Sequence, residues 1–199
     1  MVQGGETQAD AIVLALGEKG DESGENTSRT DLTLPKEHAE LVRAAKATGR
    51  PVVVVLFNGR PLAVPELKRE ADAVLEAWQL GSCCGWAVAD VLAGVVEPYG
   101  RLTVDFPQSS GQCPFYYNRL PTGRPNDDVL VYSEGGRWAT RYTDVPLKAV
   151  YPFGFGLTYT EFRYSEESAA VVGDEVVLSA RIANVGKRRG SEVVPVALR

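Results

Sequence analysis

Apolar strands alternating with amphipathic helices over the first hundred residues predict an α/β fold. The expected architecture is an open layered α/β/α sandwich with a mostly parallel sheet, followed by a partial all-β segment. Three observations carry this. The runs AIVLAL and VVVVLF are short, continuous and apolar, as strands buried on both faces are. Helical periodicity separates them, and strands joined through helices are parallel with right-handed crossovers. From Glu175 the apolar period becomes two, the mark of an antiparallel strand.

The elements follow in order. Residues 11–16 form the first strand, and a polar loop occupies 17–34. Pro35 opens a helix over 35–48, with Leu41, Val42 and Ala45 on one face and Gly49 as its stop. Residues 52–57 are the second strand, and Asn58-Gly59 marks a turn. A short helix spans 61–71, a third strand 73–78, and a helix 85–94 with Ala87, Val88, Val91 and Leu92 inward. Residues 101–106 alternate as an edge strand would. From Pro107 to about Thr160, proline, glycine and aromatics are dense and periodicity is lost. Such a run folds over a neighbour or serves a site; Phe153, Phe155 and Tyr159 are expected to cover the sheet. Val176, Leu178, Ala180 and Ile182 then alternate, Asn184-Val185-Gly186 turns, and Val194, Val196 and Leu198 continue as the second arm of a hairpin. Two strands do not make an independent sandwich, so the chain is expected to stop within a domain.

Composition bounds the function. The 199 residues suggest one domain, or one and a fraction. Hydrophobic residues at 44% are enough for a core, and a net charge of −5 argues against a nucleic-acid partner. No apolar run is long enough to span a membrane. The start, MVQGGETQAD, lacks the pattern of a signal peptide, so the sequence as written reads as cytoplasmic. Cys83, Cys84 and Cys113 form neither a disulfide framework nor a zinc pattern. His38 is the only histidine, which leaves little room for a Ser-His-Asp triad or a histidine metal site. No metal or cofactor is expected. Gly81 to Gly85 lacks both the dinucleotide pattern and the phosphate-loop lysine.

Ligands of open α/β sheets gather beyond the carboxyl ends of the strands. Three loops leave such ends: 17–34, 58–61 and 79–85. The first, GEKGDESGENTSRTDLTL, holds Glu18, Asp21, Glu22 and Glu25, with Arg29 close behind. It reads as a solvated acidic loop or as a source of acid/base chemistry; the calcium-loop spacing is absent. A carboxyl whose neighbours raise its pKa can carry a proton near neutrality. Sugar hydrolysis uses one such acid to protonate the leaving oxygen.

The segments TGRPVVVVLFNGRPLAV, AWQLG…AVADVLAG, PYGRLTVDFPQSSGQCPFYY, TGRP and YPFGFGLTYTEF occur in this order. Together they resemble glycoside hydrolase family 3, and most of all its periplasmic bacterial β-glucosidase branch, from about Ala9 to the end. The resemblance implies a retaining β-glucosidase-like hydrolase of β-glucosides or oligosaccharides. Its amino-terminal (β/α)₈ barrel, about 250 residues, carries the nucleophile. The α/β sandwich domain, here 1–160, donates the acid/base, and 161–199 begins a fibronectin type III-like domain. A glutamate a few residues before SR-x-x-x-x-LP selects Glu25, in GENTSRTDLTLP, as the general acid/base. Glu18 is the runner-up and Glu22 the third choice. Arg29 holds the loop, steers the carboxyl by a bidentate contact, or is purely structural. The barrel, in cis or in trans, is the implied partner, and without it the chain is expected to be inactive. Relatives in this branch are exported. Two departures stand out: GSCCG replaces a GxEGG turn, and Pro195 interrupts the last expected strand. The alternatives are a non-catalytic carbohydrate-binding accessory domain and an inactive remnant.

Overall fold

The computed structural model describes residues 9–120, 123, 124 and 140–196. They contain a parallel sheet with helices and a small antiparallel sheet. The chain divides into two compact units. The first comprises the residues up to Ser82 together with Leu102–Phe153, and the second comprises Cys83–Arg101 with the residues from Gly154 onward.

In the first unit, β1 (Ile12–Gly17), β2 (Val52–Phe57) and β3 (Ala73–Glu76) form a parallel sheet in that order. β2 is central, and its register pairs Ile12 with Val52 and Gly17 with Phe57. Helices α1 (Lys36–Ala47) and α2 (Pro65–Glu70) connect the strands. α1 packs on β1 and β2, and α2 packs against α1. Val52, Val54, Val55 and Leu56 are at most 1% exposed. Val42 and Ala45 of α1 and Leu67 of α2 meet Val52, Val54 and Leu56 in one core. The end of α1 is tied to the sheet by Asp72, which accepts Lys46 Nζ at 2.6 Å and the Val52 N–H at 2.8 Å. These contacts hold its carboxyl below the usual range.

Several expectations need correction. β1 is not buried on both faces: Leu14 and Leu16 enter the core, but Val13 is 53% exposed and Ala15 is open. β1 is the edge strand and α1 packs on it, while the side chains of Val13 and Ala15 point to the opposite face of the pleat. The expected edge strand over 101–106 reduces to one antiparallel bridge between Phe106 and Tyr151. Phe153, Phe155 and Tyr159 are exposed; in the first unit Phe106 and Val150 enter the core, with Tyr151 packed against them. The tail is held there by polar groups. Asp105 Oδ1 accepts the Phe153 N–H at 2.8 Å, and buried Gln112 accepts from Gln108 N–H and donates to Pro146 O.

The second unit contains α3 (Cys84–Leu92), β4 (Phe162–Val172) and β5 (Glu175–Asn184). α3 begins beside the paired cysteines and buries no residue completely; Val88 and Val91 are half-buried, while Ala87 and Leu92 are exposed. The two-residue-period segment is β5, but its antiparallel partner is the preceding strand β4. Residues 190–196, Pro195 included, form no strand. Leu198, and Thr122 and Pro125 of the second TGRP segment, lie outside the described residues. A bulge between Ser165 and Ser168, with Glu166 at φ 56°, breaks the ladder. That irregular stretch removes the alternation by which β4 is recognisable.

Candidate active site

All three parallel strands point their carboxyl ends the same way, so the loops that leave them share one edge of the first unit. β1 ends at Gly17, with φ 137°. A Cβ there would lie 1.7 Å from the Phe57 carbonyl oxygen, so the chain turns across β2 only because the residue is glycine. The Glu18 N–H then donates to that same oxygen at 2.8 Å.

The Glu18 side chain is only 1% exposed. Its Oε1 lies 3.0 Å from Arg29 Nη1 and 2.9 Å from Arg60 Nε, the latter as an ion pair and not an aligned hydrogen bond. Its Oε2 accepts the Gly59 N–H at 3.0 Å. Both oxygens are thus engaged, and the carboxylate ties the start of the loop to the turn after β2. Arg29 gives its other amine to Thr33 O at 3.4 Å, so it bridges the loop and is not bidentate on a carboxylate.

Between these anchors the loop folds on itself. Glu22 accepts the Lys19 N–H at 2.7 Å and returns its own N–H to Lys19 O at 3.0 Å. Gly24 and Asn26 adopt positive φ, 131° and 60°. Glu25 sits between them and is exposed. Among the described residues nothing holds its carboxylate. Arg60 Nη2 donates to Glu22 O at 2.6 Å and to Thr27 O at 2.9 Å, one on each side of Glu25. The far end of the loop is pinned as well. Asp31 accepts both the N–H and the hydroxyl of Thr33, which hold its carboxyl below the usual range. Leu32 donates its N–H to Ser110 Oγ, and Thr33 bridges Ala63.

The structure therefore joins Glu18 and Arg29, places Glu22 in a local turn, and leaves Glu25 presented alone. Two participants were missed from sequence. Arg60 is one. Its signal is the register: once Gly17 lies beside Phe57, Glu18 lies beside the Asn58-Gly59-Arg60 turn. Glu76, at the end of β3, is the other; its signal is a lone acid inside the apolar run AVLEAW. Its Oε1 accepts the Trp78 N–H at 2.9 Å, while Oε2 is buried without a partner. Burial pushes its carboxyl up to about 7, against the Trp78 hydrogen bond and the nearby Asn58 amide, which pull it down. Asn58 is 2% exposed; its Nδ2 donates to Arg60 O at 2.8 Å and its Oδ1 has no partner.

Among the described residues no three His, Cys, Asp or Glu side chains gather as metal ligands would, and no helix is long and apolar enough to cross a membrane. Cys83, Cys84 and Cys113 are free thiols.

Fold and site together define an α/β domain that presents a carboxylate loop at the carboxyl edge of a parallel sheet. Residues 4–159 match the profile of the glycosyl hydrolase family 3 C-terminal domain, and the chain belongs to that family. It is 42% identical over 195 residues to a periplasmic beta-glucosidase of Salmonella typhimurium, covering 96% of this chain and 25% of that protein. It is 37% identical to a beta-xylosidase of Formosa agariphila, with coverage of 96% and 25%. Among solved structures, a beta-glucosidase from Listeria innocua in complex with glucose superposes with a TM-score of 0.81 at 40% identity. The match covers 89% of this chain and 25% of that one. The chain thus spans about a quarter of the length of these relatives.

Proposed function

We propose that this chain is the acid/base-bearing portion of a retaining β-glucosidase-like hydrolase, with Glu25 as the general acid/base. Residues 1–160 would be the sandwich domain with its tail, and 161–199 the start of a fibronectin type III-like domain. The (β/α)₈ barrel that supplies the nucleophile would be a partner in cis or in trans. A β-glucoside or oligosaccharide would be the substrate, and a periplasmic location would follow the Salmonella relative. Neither nucleic acid nor membrane is proposed as a partner.

One observation carries the reading. Of the three glutamates considered, only Glu25 offers an exposed carboxylate with no partner of its own, on a loop fastened on both sides of it. Glu18 has both oxygens occupied, and Glu22 closes a turn. In the reaction Glu25 would protonate the glycosidic oxygen as the barrel's aspartate attacks the anomeric carbon. The resulting carboxylate would then take a proton from the water that hydrolyses the glycosyl-enzyme. Separated from the barrel, the acid has nothing to be positioned against, so the chain alone would be inactive.

The test is hydrolysis of an aryl β-glucoside by the chain, alone and mixed with a separately expressed family 3 barrel. Turnover is expected only in the mixture and should fall at least 100-fold with Glu25→Gln. A Glu25→Gln mixture as active as wild type would refute the assignment. A second reading, carbohydrate binding without catalysis, has its own support. The rings of Tyr117 and Phe153 stack with centroids 3.9 Å apart, and Tyr117 is 60% exposed, an aromatic platform of the kind on which sugars lie. Calorimetric titration with glucose and cellobiose distinguishes it, since the catalytic reading requires no sub-millimolar binding by the chain alone.

A further inference from the structure

We propose that Arg60 is a positioning residue for the acid loop, setting where the Glu25 carboxylate is presented. The chemical consequence rests on the Glu25 reading above, whereas the geometry rests on the contacts alone. Arg60 Nη2 has two hydrogens, and both have acceptors, Glu22 O at 2.6 Å and Thr27 O at 2.9 Å. Its Nε faces Glu18 Oε1 at 2.9 Å. One planar group therefore grips the loop three residues before Glu25 and two residues after it, while ion-paired to the buried carboxylate where the loop begins.

The guanidinium is itself fixed to the sheet. Arg60 follows the last residues of β2, its carbonyl accepts from buried Asn58 Nδ2, and Pro61 restricts the backbone after it. Gly59 lies so close under the loop that a Cβ would meet Ser23 Oγ at 1.8 Å. The most buried strand among the described residues thereby sets the place of an exposed loop tip. Lysine does not substitute: a single ammonium can meet Glu18, but it lacks the planar fork that serves a carboxylate and two carbonyls together. Removing the fork leaves two loop carbonyls without their donor and Glu18 with one cation in place of two. A displacement of about 1 Å at a catalytic group is enough to cost about 100-fold in rate.

The experiment uses the full chain and two variants, Arg60→Gln and Arg60→Lys. Amide hydrogen exchange across 19–27 is expected to accelerate at least ten-fold in the glutamine variant and at least three-fold in the lysine variant. Exchange across β2 should stay within two-fold of wild type. Loop exchange that is unchanged in both variants, or β2 accelerating in step with the loop in both, would overturn the proposal. A second readout uses the mixture with the barrel. Arg60→Gln should lower kcat/KM more for aglycones that leave poorly than for nitrophenolate, because kcat/KM reads the glycosylation step, in which only poor leaving groups depend on a well-placed acid. A uniform loss of kcat/KM across aglycones would also overturn it. If the wild-type mixture is silent, the Glu25 reading fails, and the exchange experiment still decides the role of Arg60.

Discussion

β2 and β5 are equally strand-like in sequence and end in opposite circumstances. Val52, Val54, Val55 and Leu56 are at most 1% exposed. Val176, Val177, Leu178 and Ile182 are 40–60% exposed. The difference lies in what covers them. In the first unit, two helices and Leu102, Phe106, Val150 and Tyr151 pack with the sheet. In the second, among the described residues, β4 and β5 form a sheet of only two strands. Periodicity therefore reports that a segment is extended, and the neighbours decide whether its apolar side chains contribute to stability.

Truncating one leucine on each side tests this most strongly. Leu56→Ala should destabilise the first unit by about 2–5 kcal/mol, the range for a cavity in a packed core. Leu178→Ala, at a site already half in water, should cost less than about 1 kcal/mol. Exchange of the β2 and β5 amides measures each unit separately. Equal costs at the two sites would mean that the hairpin is covered as fully as the core.

Backbone substitutions sharpen the same contrast at a smaller scale. Gly17 and Gly173 both have positive φ, 137° and 62°. A Cβ on Gly17 would run into the Phe57 backbone, whereas one on Gly173 would meet nothing within 4 Å. Gly17→Ala should cost on the order of 3 kcal/mol, from strain and collision together. Gly173→Ala should cost about 1–2 kcal/mol, from left-handed strain alone. Gly17→Ala should also loosen 18–27, because the displaced strand end carries Glu18 with it. Thermal denaturation of both variants, with exchange of the Glu18 amide, reads out each effect.

These contrasts also show what was legible in the sequence. β2, running from Val52 to Phe57, was readable to the residue because an unbroken apolar run between Pro51 and Asn58-Gly59 has only one interpretation. β4 was not, because SEES sits at its bulge, although Gly173-Asp174 between paired valines is itself a hairpin signal. That Glu25 lies on the loop after β1 was legible from the strand pattern. The guanidinium that brackets it was not, since residues 22, 27 and 60 meet only once the parallel register of β1 and β2 is known. Glu76 was hidden for the opposite reason: a single acid at a strand end looks solvated until the burial around it is seen.

Glu76 is also where close packing acts against the first unit, and it gives a smaller effect with a definite sign. Its folded pKa, about 7, lies above the ordinary 4.5 because burial disfavours the charged form. The folded state therefore binds the proton more tightly than the unfolded chain. Stability is fully present below about pH 4.5, declines as pH rises, and reaches its lower plateau above about pH 7. The glutamate side chain is partly accessible, so the drop should be about 2 kcal/mol, less than the full shift would give. Glu76→Gln removes the titration. It keeps an acceptor for the Trp78 N–H. The variant should match wild type near pH 4.5 and exceed it by about 2 kcal/mol at pH 8, as read from urea midpoints. If wild type and variant keep the same difference at pH 4.5, 6 and 8, Glu76 is not charging against its burial, and the cost of closing the first unit must lie elsewhere.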